Sequence, residues 1–429
     1  MNIITFILLC LFSTHASARA AVNLEESFQA SVKRSEDLAS SEELVNQAEE
    51  RYHEAVGAVL PNVNFVGILL KQDNGAAANS TSTSAGSLSP SNQKTYKITA
   101  TQPLFRGLRE YAALSQSKTL TRVQENQRDA LYLQLFQDVA VAFYNVLANE
   151  KDLLNLQSQI DVNNKRLKDV GQFRKLGRSR EADVLTVQSS IATLEYAVVQ
   201  SQTARATSRA IYSYLTGLDK SVELYDNETF PTALEPVAKL ISKIDERPDI
   251  KAAIEQVEAS DKGVSIAKGA HLPSLDLNGN YYFTRPGYLS DVKWDVSLGL
   301  TFPIFAGGAT QSAVRVAASV LKQSDLALSK VRRAAQEQID TTYAQVLGDI
   351  AQVEKEKRSM DIYNRSYQAE AKDYRYGLVT NLEVLVSQDT LQMNQRSVDR
   401  LTYQFRADYL RLQAMVANRP SLRKVAAKE

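Results

Sequence analysis

The sequence predicts a mainly α-helical chain with a β-barrel portion, in which long helical hairpins and β-hairpins are encoded twice. The first observation is an internal tandem duplication: ten residues between Pro103 and Gln188 recur 200 positions later, without an insertion or deletion. The second is the scarcity of proline and glycine in residues 107–173 and 307–374, and the third is the polar–apolar alternation before each of these segments. A repeat of this length is a duplicated supersecondary unit rather than a solenoid period.

A repeated motif further upstream sets the boundaries of the two copies. The dipeptide Leu60-Pro61 returns as Leu272-Pro273, 212 positions later, so the first copy carries 12 additional residues between Pro61 and Pro103. Each copy is predicted to contain a helix, a β-hairpin and a long helical hairpin. The predicted segments are a signal peptide at 1–20, a first repeat at 21–216, an inter-repeat linker at 217–245, a second repeat at 246–417 and a C-terminal tail at 418–429.

The N-terminal segment has the features of a secretory signal. Residues 3–12 form a short apolar core, and Ala16, Ala18 and Ala20 offer small-residue cleavage sites. A short membrane anchor is the alternative, but the apolar run is too short to span a bilayer comfortably. Removal of this segment removes Cys10, the one cysteine in the sequence. We found no later run of about 18 apolar residues, so we expect no transmembrane helix.

Charge and motif content exclude several functional classes. The 50 basic and 49 acidic residues nearly cancel, so the chain has no electrostatic case for binding nucleic acid. After signal removal only His53 and His271 remain as histidines, and they lie far apart in the sequence. The sequence has no metal-spaced cluster, nucleophile elbow or phosphate-binding glycine loop. We therefore expect no enzyme activity, no cofactor and no metal.

The β-hairpin of the second copy predicts a membrane strand pair. Two segments of about ten residues alternate between apolar and polar side chains, and ten residues is the length that a tilted membrane strand needs. A soluble hairpin packed on a core is the alternative. In the first copy, the second strand of the hairpin is predicted to end at Pro103. The residues predicted to face lipid are Leu275, Leu277, Trp294, Val296, Leu298 and Leu300. The residues predicted to face the lumen of a barrel are Asp276, Asn278, Asp295, Ser297 and Thr301.

The proline-free segments predict unusually long helices. Each is about 66 residues, which corresponds to about 100 Å of helix. Their apolar stripes, such as Ile339, Tyr343 and Val346, are narrow and suit helix-on-helix packing. The returning helices are near 40 residues each, so an upstream helix, predicted at 24–59 in the first copy, would extend them. An isolated coiled-coil rod is the alternative, but a rod does not explain the hairpins.

Both long helices are predicted to end at a glycine. The turns read Leu176-Gly177-Arg178-Ser179-Arg180 and Tyr376-Gly377-Leu378-Val379-Thr380, and glycine supplies the reversal of direction. A new helix then starts near Asp183 in the first copy and Glu383 in the second. A carboxylate at a helix N-terminus is favoured by the exposed N–H groups, so capping is one interpretation and a role in gating is the other.

These motifs, in order and twice, resemble the TolC-like outer membrane factor family. The resemblance rests on the Leu-Pro before each hairpin, on residues 102–107 and 302–308 after it, on Arg247-Pro248-Asp249-Ile250, and on residues 374–388 at the second turn. It covers essentially the whole chain after the signal segment. It implies a homotrimer in which four strands per chain build a 12-strand outer-membrane β-barrel. It also implies that long helical hairpins form a trimeric α-barrel tunnel through the periplasm, with residues 217–245 as an equatorial linker.

The resemblance also implies a function and partners. It predicts a channel-tunnel that exports substrates from a tripartite efflux pump or a type I secretion system. The implied partners are a periplasmic adaptor (membrane fusion protein), an inner-membrane transporter and outer-membrane lipid. Asp183 and Glu383 would form a periplasmic tip gate, although a further acidic position of the family is Val386 here. The implied adaptor-docking residues are Gly177, Arg178, Ser179, Gly377, Leu378, Val379 and Thr380.

A periplasmic adaptor or a structural helical-rod protein is the alternative from another class. An adaptor usually combines one helical hairpin with small β domains. Two copies of a hairpin with membrane-length strands therefore favour the channel. A channel is also expected to need detergent for extraction from the outer membrane.

Overall fold

The computed structural model describes residues 21–72 and 92–416. The predicted signal peptide at 1–20 and C-terminal tail at 418–429 lie outside these residues. Two short 3₁₀ helices, Ile244–Glu246 and Gly287–Leu289, accompany the main elements. The main elements are α1 Leu24–Arg34, α2 Glu36–Gly57, β1 Asn62–Lys71, β2 Asn92–Arg106, α3 Arg109–Lys175, α4 Glu181–Thr216, α5 Val237–Ile241, α6 Pro248–Gly269, β3 Ser274–Thr284, β4 Trp294–Thr301, α7 Ala309–Arg375 and α8 Asn381–Met415.

The duplication is preserved in the elements themselves. Helices α3 and α7 have 67 residues each and begin 200 positions apart, and α4 and α8 begin 200 positions apart. Helices α2 and α6 have 22 residues each and begin 212 positions apart, which is also the separation of the two Leu-Pro dipeptides. The 12 additional residues of the first copy therefore lie between β1 and the end of β2.

The predicted helix at 24–59 is two helices, because the chain breaks at Ser35. Ser35 has an extended backbone, with φ −67° and ψ 111°, and its N–H donates to the Ser31 carbonyl. Helix α1 has a complete capping box, in which Asn23 and Glu26 each accept a hydrogen bond from the other's backbone N–H. The apolar spacing continues through the break, so the sequence pattern did not reveal it.

The chain divides into two compact units, each of which draws on both repeats. Among the described residues, unit one contains 21–36, 132–240 and 338–416, and unit two contains 37–72, 92–131 and 241–337. The division follows contacts in space rather than the duplication. The repeat boundaries predicted from the sequence follow the duplicated motifs, and they stay a prediction.

The core of unit one is aromatic. Phe28 of α1 packs edge-on against Phe136 of α3, with ring centroids 5.1 Å apart, and Phe143 packs against Tyr144 in the same way. Tyr212 of α4 is fully buried and its hydroxyl lies 2.7 Å from the Ser27 hydroxyl. Burying rings of this size is the main source of stability in such a bundle.

Helix α3 contains the most apolar part of the described chain. By length and composition alone, it has an 18-residue window apolar enough to cross a membrane, and 44% of that window is buried within the chain. This finding concerns the average hydropathy of a window and not a continuous run of 18 apolar residues, so the expectation of no transmembrane helix stays a prediction. Core helices pass the same test, and α3 carries the buried Phe136, Val139 and Phe143 of the unit-one core.

The linker is part of the packed structure of unit one as far as residue 240. Val22 forms a parallel bridge with Leu224, and its N–H donates to the Glu223 carbonyl at 2.8 Å. Asp226 accepts from the Tyr144 hydroxyl at 3.1 Å and forms an ion pair with Arg406. These contacts hold the connection between the repeats against α3 and α8.

Unit two contains one four-stranded antiparallel sheet in the order β1-β2-β3-β4. Its central joint pairs β2 of the first copy with β3 of the second, from Tyr96 opposite Thr284 to Arg106 opposite Ser274. Strand β2 runs past Pro103, where it was expected to end, with a register shift between Pro103 and Phe105. A bulge accommodates a proline because proline has no N–H to donate to the ladder.

Candidate channel strands and helical turns

The sheet of unit two exposes a continuous apolar face. The register places Leu277 opposite Leu298 and Tyr281 opposite Trp294, so these side chains share one face. Of the six residues predicted to face lipid, Leu275 is half-buried and the other five are exposed, up to 70% for Leu300. In β1 the same face carries Val63, Phe65 and Leu69, which are also exposed. A patch of this extent marks a surface that another apolar phase or partner covers.

The opposite face carries a hydrogen-bonded polar network. Asn280 of β3 is its centre: its Oδ1 accepts from Lys97 Nζ at 2.9 Å and Thr99 Oγ1 at 3.0 Å, and its Nδ2 donates to Asp295 Oδ1 at 2.8 Å. Thr101 donates to Asn278 at 2.9 Å. The predicted inward-facing residues Asp276, Asn278 and Asp295 therefore lie on the polar face.

Sequence reasoning missed the network itself. Lys97 and Asn280 were visible only as polar members of alternating segments. Arg106, which donates to Asp276 Oδ1 at 2.8 Å, lies beyond the predicted end of its strand. Cross-strand partners depend on the register between two distant segments, and one sequence contains no direct signal for it.

The two helical turns have the same backbone geometry. Gly177 and Gly377 adopt left-handed φ values of +73° and +74°. The Gly177 N–H donates to the Arg174 carbonyl at 2.9 Å, and the Arg178 N–H donates to the Phe173 carbonyl at 2.8 Å. Gly377 and Leu378 repeat this pair of bonds at 3.0 and 3.1 Å. Both long helices therefore end in a Schellman motif, which requires a residue that tolerates positive φ.

Asp183 and Glu383 occupy the same capping position in the helices that follow. The Asp183 carboxylate accepts from the Arg180 N–H at 2.9 Å and from the Ser179 hydroxyl at 3.0 Å. The Glu383 carboxylate accepts from the Thr380 N–H at 2.6 Å, and the Glu383 N–H donates to Thr380 Oγ1 at 3.3 Å. The second turn is a complete capping box. The first turn has only one of the two hydrogen bonds of a capping box, the one from the Arg180 N–H to Asp183. The other is missing because an arginine side chain has no acceptor.

Hydrogen bonding keeps both carboxylates ionised. Burial of Asp183 opposes ionisation, but the bonds from Arg180 and Ser179 outweigh it and hold the pKa of Asp183 below its usual value. The backbone and hydroxyl of Thr380 likewise lower the pKa of Glu383. Each acid is thus a fixed negative charge at the start of its helix, where the N–H groups favour it.

Arg166 of α3 connects the two turns within unit one. Its Nε and Nη2 donate to Asn381 Oδ1 at 3.1 and 2.9 Å, and Asn381 Nδ2 donates to the Asp183 carbonyl at 3.3 Å. The Tyr374 ring lies 6.0 Å from the Phe173 ring and 5.5 Å from the Arg166 guanidinium. Burial lowers the pKa of Arg166, while the nearby Tyr374 and other groups oppose that shift.

The residues proposed for docking lie mostly at the surface of these turns. Gly177, Arg178, Gly377, Leu378 and Thr380 are exposed. Ser179 and Val379 are half-buried, and they occupy equivalent positions of the two turns. Arg166 and Asn381 were not predicted, because an arginine inside a helix and an asparagine at its start have many structural uses.

No group of three or more His, Asp or Glu residues that could hold a metal ion occurs in the described parts of the chain. The described residues offer long helices, two tight glycine turns and a sheet with one apolar and one polar face.

Comparison with known proteins identifies the class of protein to which these features belong. The family described as "Outer membrane efflux protein" matches residues 242–418. The chain is 24% identical over 353 residues to the outer membrane protein TolC of Vibrio cholerae, covering 79% of this chain and 75% of that protein. It shares the fold of the outer-membrane channel OprN, with TM-score 0.78, 17% identity, and 92% and 90% of the two chains covered. It shares the fold of the Campylobacter jejuni CmeC channel likewise, with TM-score 0.77, 15% identity, and coverage of 94% and 88%.

The family model, the relatives and the solved structures of the same fold are all outer-membrane channels. Together these findings support a TolC-like outer membrane factor. It is an efflux channel of the outer membrane, extending into the periplasm, and its family and structural neighbours are channels rather than enzymes.

Proposed function

We propose that the chain works as a homotrimer whose twelve strands close one barrel in the outer membrane. The observation that carries this proposal is the four-stranded sheet with an exposed apolar face and two edge strands, β1 and β4. Four strands are too few to close a barrel of useful bore, and open edges are not tolerated in lipid. In the trimer Leu275, Leu277, Trp294, Val296, Leu298 and Leu300 face lipid, and the Asn280 network faces the lumen.

The trimer is proposed to be the exit duct of a tripartite efflux pump or a type I secretion system. Its partners are a periplasmic adaptor and an inner-membrane transporter, and TolC-family channels are trimeric and work with efflux pumps. The exposed turns support this proposal, because they offer tight, hydrogen-bonded loops at the ends of long helices. Their docking residues are Gly177, Arg178, Ser179, Gly377, Leu378, Val379 and Thr380.

The assembly is tested by light scattering on protein extracted in mild detergent, with conductance measured in a planar bilayer. We expect trimers that form discrete channels and that leave the outer membrane only with detergent. A monomer as the main species, or extraction without detergent, contradicts the proposal and favours the adaptor or rod.

The gate is proposed to depend on Asp183 and Glu383 through the conformation of the turns. The Asp183 carboxylate accepts hydrogen bonds from Arg180 and Ser179, three and four positions earlier. The Glu383 carboxylate accepts two from Thr380, three positions earlier. Replacing both, Asp183→Asn with Glu383→Gln, removes the charges while keeping shape and part of the hydrogen bonding. We expect higher conductance in a planar bilayer than for the unmodified channel. Unchanged conductance would leave the two acids as helix caps only.

A further inference from the structure

The carboxylates on the polar face of the sheet are balanced by arginines. The described strands contain two acidic residues, Asp276 and Asp295, and both lie on this face. Asp276 forms an ion pair with Arg106 at 2.8 Å, and Asp295 lies 3.5 Å from Arg285 in the connection between β3 and β4. Each carboxylate therefore has its own arginine, and the two pairs contribute no net charge to the face.

Lys97 of β2 adds a positive charge that no carboxylate of the described residues pairs with. Its Nζ donates to the neutral Asn280 Oδ1 at 2.9 Å and lies 5.6 Å from the centre of the Tyr282 ring. Its neighbour in β1 is Val66, which has no polar side-chain atom. The amide and the ring hold the ammonium group in place without neutralising it. Each chain is thus left with one uncompensated positive charge on the polar face.

Tyr282 brings this charge close to the neighbouring ion pair. The Arg285 guanidinium lies 4.2 Å from the centre of the same ring that Lys97 faces. Asn280 links Lys97 to Asp295, because its Nδ2 donates to Asp295 Oδ1 at 2.8 Å. Two cations and one anion therefore surround one tyrosine, and the local charge of the group is +1.

The duplication places this charge once in each chain. The residue equivalent to Lys97 in β4 is Ser297, and the residue equivalent to Asn280 in β1 is Ile68. The second copy of the pattern therefore has neither the ammonium group nor the amide that holds it. A trimer contains three such lysines, all at the same height of the wall.

We propose that the uncompensated charge of Lys97 makes the lumen of the barrel selective for anions. This inference rests on the proposed trimer, in which the polar face lines the lumen. Rings of lysine or arginine favour anions in pores, and substitutions on the lumen side of outer-membrane barrels tune their selectivity. Lys97 is the residue that determines this specificity, because the other charges of the described polar face cancel in pairs.

The width of the barrel decides how far this charge acts. Twelve strands that lie about 4.7 Å apart and are tilted by about 40° give a backbone radius of about 12 Å. The Debye length is about 30 Å at 0.01 M salt and about 3 Å at 1 M salt. Three lysines therefore act on an ion at the axis of the barrel at low salt, whereas 1 M salt screens them.

Zero-current potentials of purified channels in a planar bilayer test the inference. The chloride-to-potassium permeability ratio is measured under a KCl gradient from about 0.01 M to about 0.1 M, and again near 1 M. All variants carry Asp183→Asn with Glu383→Gln, because the carboxylates of the turns act on ions in the opposite sense. Lys97→Gln keeps an amide donor for Asn280 and removes the charge. It should lower the ratio by a factor of about 3 or more at low salt and have little effect near 1 M.

Two further variants give an opposite effect and a matched control. Asp295→Asn leaves Arg285 without its carboxylate and keeps an oxygen that accepts from Asn280, so it should raise the chloride-to-potassium ratio at low salt. Lys94 lies on the apolar face of the same strand, opposite Leu69. Lys94→Gln removes the same charge from the side that faces away from the lumen, and the ratio should stay unchanged.

Light scattering and channel formation separate the two proposals. Every variant is expected to be a trimer that forms channels. Trimeric channels whose ratio at low salt does not change with Lys97→Gln, or changes as much with Lys94→Gln, overturn this inference and leave the proposed assembly intact. A fall in the ratio with Asp295→Asn overturns it as well. Absence of trimers and of channels in the unmodified protein overturns the proposed function itself.

Discussion

Replacing Asp408 with asparagine is expected to stabilise the protein at neutral pH. Asp408 of α8 lies against Asp349 of α7, whose side chain is 1% exposed. The Asp349 Oδ1 accepts from Gln345 Nε2 at 2.9 Å. Its Oδ2 is buried and, within the described residues, has no hydrogen-bond donor unless the Asp408 carboxyl is protonated. The pair is therefore best satisfied when it holds one proton.

The pKa of Asp408 sets the size of the effect. Burial raises it from 3.8 to about 6, the Asp349 carboxylate adds to the rise and Arg411 opposes it. A pKa raised in the folded state means that stability is fully present below about pH 4 and is lost as the pH rises through about 6. Two pKa units correspond to about 3 kcal/mol. Because Asp408 is partly accessible to solvent, which screens the interaction, we expect roughly 1–2 kcal/mol above pH 7.

The assay is thermal unfolding of the purified protein followed by far-UV circular dichroism between about pH 4 and pH 7.5. The unmodified protein should lose stability across this range more steeply than Asp408→Asn, whose amide can donate to Asp349 at every pH. The two should converge near pH 4. The exposed Asp361, paired with Arg365 at 3.0 Å, provides the control, and Asp361→Asn should change stability by less than about 1 kcal/mol. A lower melting temperature for Asp408→Asn at pH 7.5, or parallel pH profiles, would refute the reasoning.

Three further predictions address the strands and turns. Leu298→Arg on the apolar face should cost about 2–4 kcal/mol near the bilayer midplane, whereas Ser297→Arg on the polar face should be tolerated; equal trimer yields in vesicles would contradict a lipid-facing strand. Gly377→Ala should cost about 1–2 kcal/mol because φ is +74°, seen as faster hydrogen exchange at the end of α7, and unchanged exchange would count against a strained turn. Thr380→Ala should cost about 1 kcal/mol and Thr380→Ser much less, measured by exchange in the first turn of α8; identical exchange in both would show that the hydroxyl does not cap.

Much of the fold was predictable because the sequence pattern of each element occurs twice in the chain. The two 67-residue helices and the glycine turns were predicted from proline content and repeated motifs, since proline and glycine act locally. The break at Ser35 was not predicted, because a helix can stop and restart in phase without disturbing its apolar spacing. The end of β2 was misplaced for a related reason: a bulge lets a strand continue past Pro103.

The contacts of the candidate site were less predictable than its positions. Alternation assigned Asp276, Asn278 and Asp295 to the polar face, but the register decides which groups meet there. Arg166 and Asn381 meet across 215 positions of sequence, and nothing local to either residue indicates the other. Interactions over such separations depend on how helices are aligned, which a single sequence describes only through its repeats.

The two turns show what the duplication has kept and what it has changed. Both keep a glycine at the left-handed position and an acid three residues after the helix cap, because the backbone needs them. Between the glycine and the acid, the first turn has Arg178 and Arg180, whereas the second has Leu378 and Thr380. The first turn therefore offers guanidinium groups and the second an apolar side chain. The glycine and the acidic position are the same in both turns, whereas the exposed residues between them differ, including the helix cap, where only Thr380 accepts a hydrogen bond through its side chain. A partner that grips both turns must therefore present two chemically different contacts to two loops of the same form, and its specificity should lie in those divergent positions rather than in the glycines.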